Sequence, residues 1–93
     1  MTVTSIPMYL AIDGERVAEA LQEAGATLDS ANGELVLDFA SVRRVDPGAL
    51  KALQELAACA DDKGVRVILR GVKVDVYKVL KLARLAPRFS FVA

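Results

Sequence analysis

Histidine and tryptophan are absent from this 93-residue chain, cysteine occurs once, and aromatic residues make up only 5%. Each absence excludes a class of chemistry. Without histidine the chain lacks the commonest general base and the commonest metal ligand. A single cysteine, Cys59, cannot close an internal disulfide, and even the smallest structural zinc site needs two thiolates. Cys59 has no histidine to activate it and reads as a small core or half-buried residue. No serine stands in a nucleophile elbow, so hydrolysis is left with carboxylates alone. No apolar run reaches the ~18 residues of a membrane span, and the first residues lack a signal-peptide pattern. A cytoplasmic chain without stable membrane insertion is expected. Neither GxGxxG nor GxxxxGK with Ser or Thr follows any strand-like segment. The glycines at 14, 25, 33, 48, 64 and 71 stand alone and read as turn residues or caps. No enzyme and no cofactor is expected.

An excess of one charge is also lacking, since 12 bases balance 12 acids. The zero hides an asymmetry. Residues 1–62 hold 11 acids against 4 bases, a balance of −7, and residues 63–93 hold 8 bases against 1 acid, a balance of +7. A chain so divided can pair with itself or offer opposite faces to different partners, unless folding interleaves the halves and cancels the field. The last predicted helix carries Lys73, Lys78, Lys81 and Arg84 opposite its apolar face. Zero net charge and few interleaved aromatics read this as a solvated face, not a nucleic-acid site.

What the chain does have is 54% hydrophobic residues, above the ~45–50% norm, which excludes disorder. One domain over residues 1–93 is expected. Residues 8–12 (MYLAI) read as a strand ended by Asp13-Gly14, with Ile6-Pro7 at its edge. Residues 15–24 are helical by period, with Val17, Leu21 and Ala24 on one face, Glu15, Glu19 and Glu23 on another, and Gly25 as the stop. Ser30 to Gly33 is turn chemistry. Residues 34–39 (ELVLDF) read as a buried strand whose Asp38 needs a partner or access to water. Residues 40–45 connect to a helix opened by Asp46 as N-cap and Pro47 at the first helical position. Leu50, Leu53, Leu56, Ala57 and Ala60 form its core face, and Gly64 closes it. Residues 65–69 (VRVIL) are a third strand broken by Gly71. Residues 72–85 follow as a helix with Val72, Val76, Val79, Leu80 and Ala83 inward, and Pro87 ends it. Residues 89–92 are a closing strand. Strands alternating with helices predict an α/β fold with a largely parallel sheet and right-handed crossovers.

The loop VRRVDPGA, residues 42–49, is the most distinctive segment. It leaves the C-terminal end of a strand and enters a helix, where open α/β sheets meet ligands and partners. Asp46 can cap the bare amides itself, so an ordinary N-cap and a binding loop both fit. Asp13, Asp38 and Asp46 could meet at strand ends as metal-binding acids do, although no two are adjacent in sequence.

The run ELVLDFASVRRVDPGALKAL, followed by KGVRVILRGV, resembles the STAS domain, the fold of anti-sigma-factor antagonists. Asp38 matches the family's strand aspartate, Val42 and Val45 its apolar connection, and Asp46 the aspartate before the phosphoacceptor. Leu50 and Leu53 match the helix leucines, and Gly14, Gly64 and Gly71 match family glycines. The resemblance extends from about Met8 to Val92. It implies a single STAS-like domain with a mixed, mostly parallel sheet and helices mainly on one face. It also implies a non-enzymatic interaction module for a kinase-like anti-sigma factor. Alternatives are a subunit gripping the ATPase of an ABC-type lipid transport complex, or a small-molecule or nucleotide sensor. The departure is at the phosphoacceptor. Where the family has Ser-Ser or Ser-Thr this chain has Pro47-Gly48, so the regulated hydroxyl falls on Gly48 and the following glycine on Ala49. The N-terminal region has room for one leading strand and not a clear hairpin. The expected partner surface is Arg43, Arg44, Asp46, Pro47, Gly48, Ala49 and Lys51. Arg43 and Arg44 would supply charge, and Gly48 would allow close backbone approach.

Overall fold

A computed structural model describes residues 8–31 and 33–92. The Ile6-Pro7 edge and Asn32 of the turn lie outside the described residues. Strands β1 (Met8–Ala11), β2 (Glu34–Asp38), β3 (Arg66–Arg70) and β4 (Ser90–Val92) form one sheet in the order β1-β2-β3-β4. Helices α1 (Val17–Ala26), α2 (Pro47–Lys63) and α3 (Val74–Leu82) connect them in turn. Every described pairing is parallel, with Leu10 beside Leu37, Leu37 beside Leu69, and Leu69 beside Phe91. Steps in one direction with crossovers of one hand place all three helices on the same face. This is the α/β architecture expected from the sequence, one sheet with helices on one face, and among the described residues the sheet is wholly parallel where the expectation was a mixed, mostly parallel one.

The core lies between that face and the helices. Leu35, Leu37, Val67 and Leu69 from the sheet meet Val17, Leu21 and Ala24 of α1, Leu53, Leu56, Ala57 and Ala60 of α2, and Val76 and Leu80 of α3. The buried stripe of α1 is the one its period predicts. Helix α2 begins where Asp46 accepts a hydrogen bond from the Ala49 amide at 2.7 Å, with Pro47 at its start. It ends at Gly64, whose φ of 67° is the left-handed conformation that glycine adopts without steric cost.

Four expectations change. Strand β2 is not buried on both sides, since Glu34, Val36 and Asp38 are only half-buried. Gly25 does not stop α1: the helix runs to Ala26, and Thr27 caps it through its amide and hydroxyl on the Ala24 carbonyl. Helix α3 is shorter at both ends than its period suggests. Lys73 is extended, so the helix starts only at Val74, and Arg84 takes a positive φ just after Leu82, well before Pro87. Cys59 is exposed, because the inward stripe of α2 passes through Leu56, Ala57 and Ala60 and leaves position 59 outside.

Candidate functional site

Three loops meet at the C-terminal end of the sheet, one after each of β1, β2 and β3. The loop after β2 is the central one and hangs from buried anchors. Phe39 and Val42 are each 0% exposed. The Phe39 amide donates to the Arg70 carbonyl at 2.7 Å, and the Val42 amide donates to the Phe39 carbonyl at 2.9 Å. Between these anchors and α2, Arg43, Arg44 and Asp46 are exposed and Val45 is half-buried, and Pro47 and Gly48, the first two residues of α2, are exposed as well. The neighbouring loops press close. A Cβ on Gly14 would lie 2.0 Å from the Ser41 carbonyl oxygen, and one on Gly71 would lie 3.4 Å from the Ala40 Cβ. Lys73 adds a hydrogen bond from its ammonium to the Ala40 carbonyl.

The expected surface residues therefore divide. Arg43, Arg44 and Asp46 are exposed in the loop on either side of half-buried Val45, and Pro47, Gly48 and Lys51 are exposed on the first turns of α2. Ala49 is in the core at 1% exposure, and its amide is taken by Asp46. Asp13 does not join Asp46 in an acid cluster. Its carboxylate accepts from the Glu15 amide, a local turn. Asp13, Gly14, Glu15, Ser41, Arg43 and Arg44 line an open cleft of about 580 Å³ between two of the loops. Acids on one wall and arginines on the other suit a polar, charged surface better than the apolar lining of most small-molecule sites. Removing the cap by Asp46→Ala is expected to cost about 1 kcal/mol, read as a small drop in the urea midpoint with an unchanged slope.

Asp38 stands where β2 gives way to the loop. One carboxylate oxygen accepts from the Ala40 amide at 2.9 Å and the other from the Tyr9 hydroxyl at 2.7 Å. The Ala40 amide first, then the Tyr9 hydroxyl, holds the carboxyl below its ordinary value, with the charges of Arg70 and Lys73 adding to the effect. The same bond to Asp38 is the main cause that raises the Tyr9 phenol above its ordinary value. The sign follows for each group. The Asp38 contribution to stability is present above the ordinary aspartate pKa and is lost as pH falls through the lowered one. The Tyr9 contribution is present below the ordinary phenol pKa and is lost as pH rises through the raised one. In an NMR titration Tyr9→Phe is expected to move the Asp38 midpoint upward, yet leave it below the ordinary value because the Ala40 amide remains. Sequence alone gives Asp38 no partner; only the register that sets Tyr9 one strand away supplies it.

Comparison with known proteins places this architecture. The sequence pattern of the family described as "Mlab, STAS domain" matches residues 9–89. No curated protein matches the chain. Among solved structures, the STAS domain of a SulP transporter from Vibrio cholerae superposes with a TM-score of 0.77 at 16% identity, over 99% of this chain and 77% of that one. A protein from Thermotoga maritima, described as an anti-sigma factor antagonist, superposes with a TM-score of 0.69 at 16% identity, over 88% of this chain and 71% of that one.

Proposed function

We infer the role of this chain from the fact that it belongs to the STAS family: it is a non-enzymatic protein–protein interaction module of the cytoplasm. Its partner is a kinase-like anti-sigma factor, which it binds through Arg43, Arg44, Asp46, Pro47, Gly48 and Lys51. The observation that carries the reading is the loop after β2, where a row of exposed charged and small residues is held by fully buried anchors on either side. A rigid scaffold presenting a charged loop suits recognition, since little ordering entropy is lost on binding. Gly48 has no hydroxyl, so binding here proceeds without the Ser/Thr phosphoswitch implied by the resemblance.

The test is affinity capture from the host lysate, with and without ATP, using the wild-type chain and two variants. Arg43→Glu with Arg44→Glu is expected to lower capture of the anti-sigma factor about tenfold or more, because the charge the loop offers for complementarity is then reversed. Gly48→Asp places a negative charge where a phosphate would sit and is expected to lower capture similarly, while Gly48→Ser leaves it unchanged. If capture survives both charge changes, this loop is not the binding surface. A transporter ATPase captured instead would assign the chain to an ABC-type lipid transport complex. An empty capture with a ligand-induced thermal shift would assign it to a sensor.

A further inference from the structure

Parallel sheets are normally covered on both faces. Here the helices cover one. On the other lie Tyr9, Ala11, Glu34, Val36, Asp38, Arg66, Ile68, Arg70, Ser90 and Val92, alternating along their strands with the core residues. Tyr9 and Val92 are each 49% exposed. Val36 and Ile68, at the centre, belong neither to the core nor to the side chains packed against it. No described element lies over this face.

The charges on it are ordered. Both acids, Glu34 and Asp38, are on β2, and both bases, Arg66 and Arg70, are on β3. Register sets Glu34 beside Arg66 and Asp38 beside Arg70, with Val36 beside Ile68 between them. Within one chain Glu34 and Arg66 already stand 4.0 Å apart, Arg66 donates to the Ser90 hydroxyl at 3.0 Å and the Tyr9 hydroxyl donates to Asp38 at 2.7 Å, so a second copy would share these groups and not meet free charges. Each row is complementary to itself under one two-fold rotation. We propose that the uncovered face of the sheet seats a second copy of this chain, face to face, about a two-fold axis parallel to the strands between β2 and β3. That rotation lays β2 of each copy over β3 of the other at the same height along the strands. Glu34 then faces the second copy's Arg66, Asp38 its Arg70, Val36 its Ile68, and Tyr9 its Ser90. A two-fold axis across the strands would instead lay β2 on β2 and set Glu34 against Asp38 and Arg66 against Arg70. Opposed charges decide between the two. Twisted sheets packed at about 30° displace the charged rows by roughly 3 Å, within reach of an arginine.

Area sets the strength. Four strands of at most five residues span roughly 300 Å² in projection, well under the ~800 Å² per partner of a standard interface. The dimer is therefore weak and concentration-dependent, monomeric near 10 µM and substantially paired near about 1 mM.

Sedimentation equilibrium of the full chain across that range tests it. Support is an average mass that rises with concentration, rises less at high salt, and stays monomeric in Ile68→Asp with an unchanged circular dichroism spectrum. A second measurement stands even if Ile68→Asp fails to fold. In a Cys59→Ser background, Tyr9→Cys and Ser90→Cys chains are treated with a short bismaleimide. The proposed axis predicts cross-linking in the mixture and not within either variant alone. A monomer at all concentrations, association that survives Ile68→Asp, or self-cross-linking of the Tyr9→Cys chain each overturns the proposal. So does a full chain that associates only after residues 1–7 are deleted, which would make that segment the occupant of the face.

Discussion

Gly14→Ala is expected to lower the melting temperature by roughly 12–24 °C, while Gly48→Ala leaves it unchanged or raises it slightly. The two glycines are about equally plain in sequence. What separates them is the atom a methyl group would meet. At Gly14 that atom is the Ser41 carbonyl oxygen at 2.0 Å, with the Ser41 carbonyl carbon at 2.9 Å. Both belong to backbone, so no side chain can swing aside. One loop must move, and the loop after β2 is pinned through Phe39 and Val42. Overpacking of this kind costs about 3 kcal/mol, a large share of the ~5–15 kcal/mol that holds a domain together. At Gly48 the added carbon meets only an Asp46 carboxylate oxygen at 3.4 Å, an ordinary contact, and alanine is the better helix former by up to about 1 kcal/mol. Thermal melts followed by circular dichroism check both. Equal losses at the two positions would mean that the loops do not touch as described. The Gly48 result also matters for function: the fold leaves room for a serine there, so the missing hydroxyl is not imposed by packing.

Much of this was legible in the residues. The α1 stripe of Val17, Leu21 and Ala24, the Asp46-Pro47 entry to α2 and the Gly64 exit each follow from local chemistry that tertiary contacts reinforce. The STAS-like pattern added the order of elements, and the sheet follows it. Other features needed three dimensions. The run LVL in β2 reads as buried on both sides, yet only Leu35 and Leu37 face helices, because crossovers of one hand leave Val36 uncovered. Helix α3 is misjudged by its valines. Val72 and Ala83 continue the helical period, but the extended backbone of Lys73 delays the start of the helix to Val74, and the chain turns at Arg84, which takes a positive φ, just after the helix stops at Leu82. Gly14 shows the same limit. As a residue after a strand it reads as turn chemistry, while its contact is with Ser41, far along the chain. In the candidate site the sequence groups Arg43, Arg44, Asp46, Pro47, Gly48 and Lys51, which the fold leaves exposed, with Ala49, whose small side chain suits the first turn of α2 because it enters the core.

Phe39→Ala is expected to cost about 3–5 kcal/mol, enough to leave the domain marginal or unfolded at 37 °C. Phe39 is 0% exposed and among the largest fully buried side chains, so its removal opens a cavity under the loop that carries Arg43 and Arg44. Its amide bond to the Arg70 carbonyl survives the substitution, which confines the damage to packing. Arg43→Ala and Arg44→Ala, both on the exposed part of the same loop, are expected to change stability by no more than about 0.5 kcal/mol. Urea denaturation measures all three. The contrast separates what holds the loop from what the loop presents. Phe39→Leu carries the separation further, since a smaller apolar side chain keeps the fold but loosens the anchor. If recognition depends on a preorganised loop, this variant loses partner affinity at a temperature where it remains fully folded, with Arg43 and Arg44 untouched. Unchanged affinity in a folded Phe39→Leu chain would mean that the arginines act as mobile charges and that the buried anchors serve the fold alone.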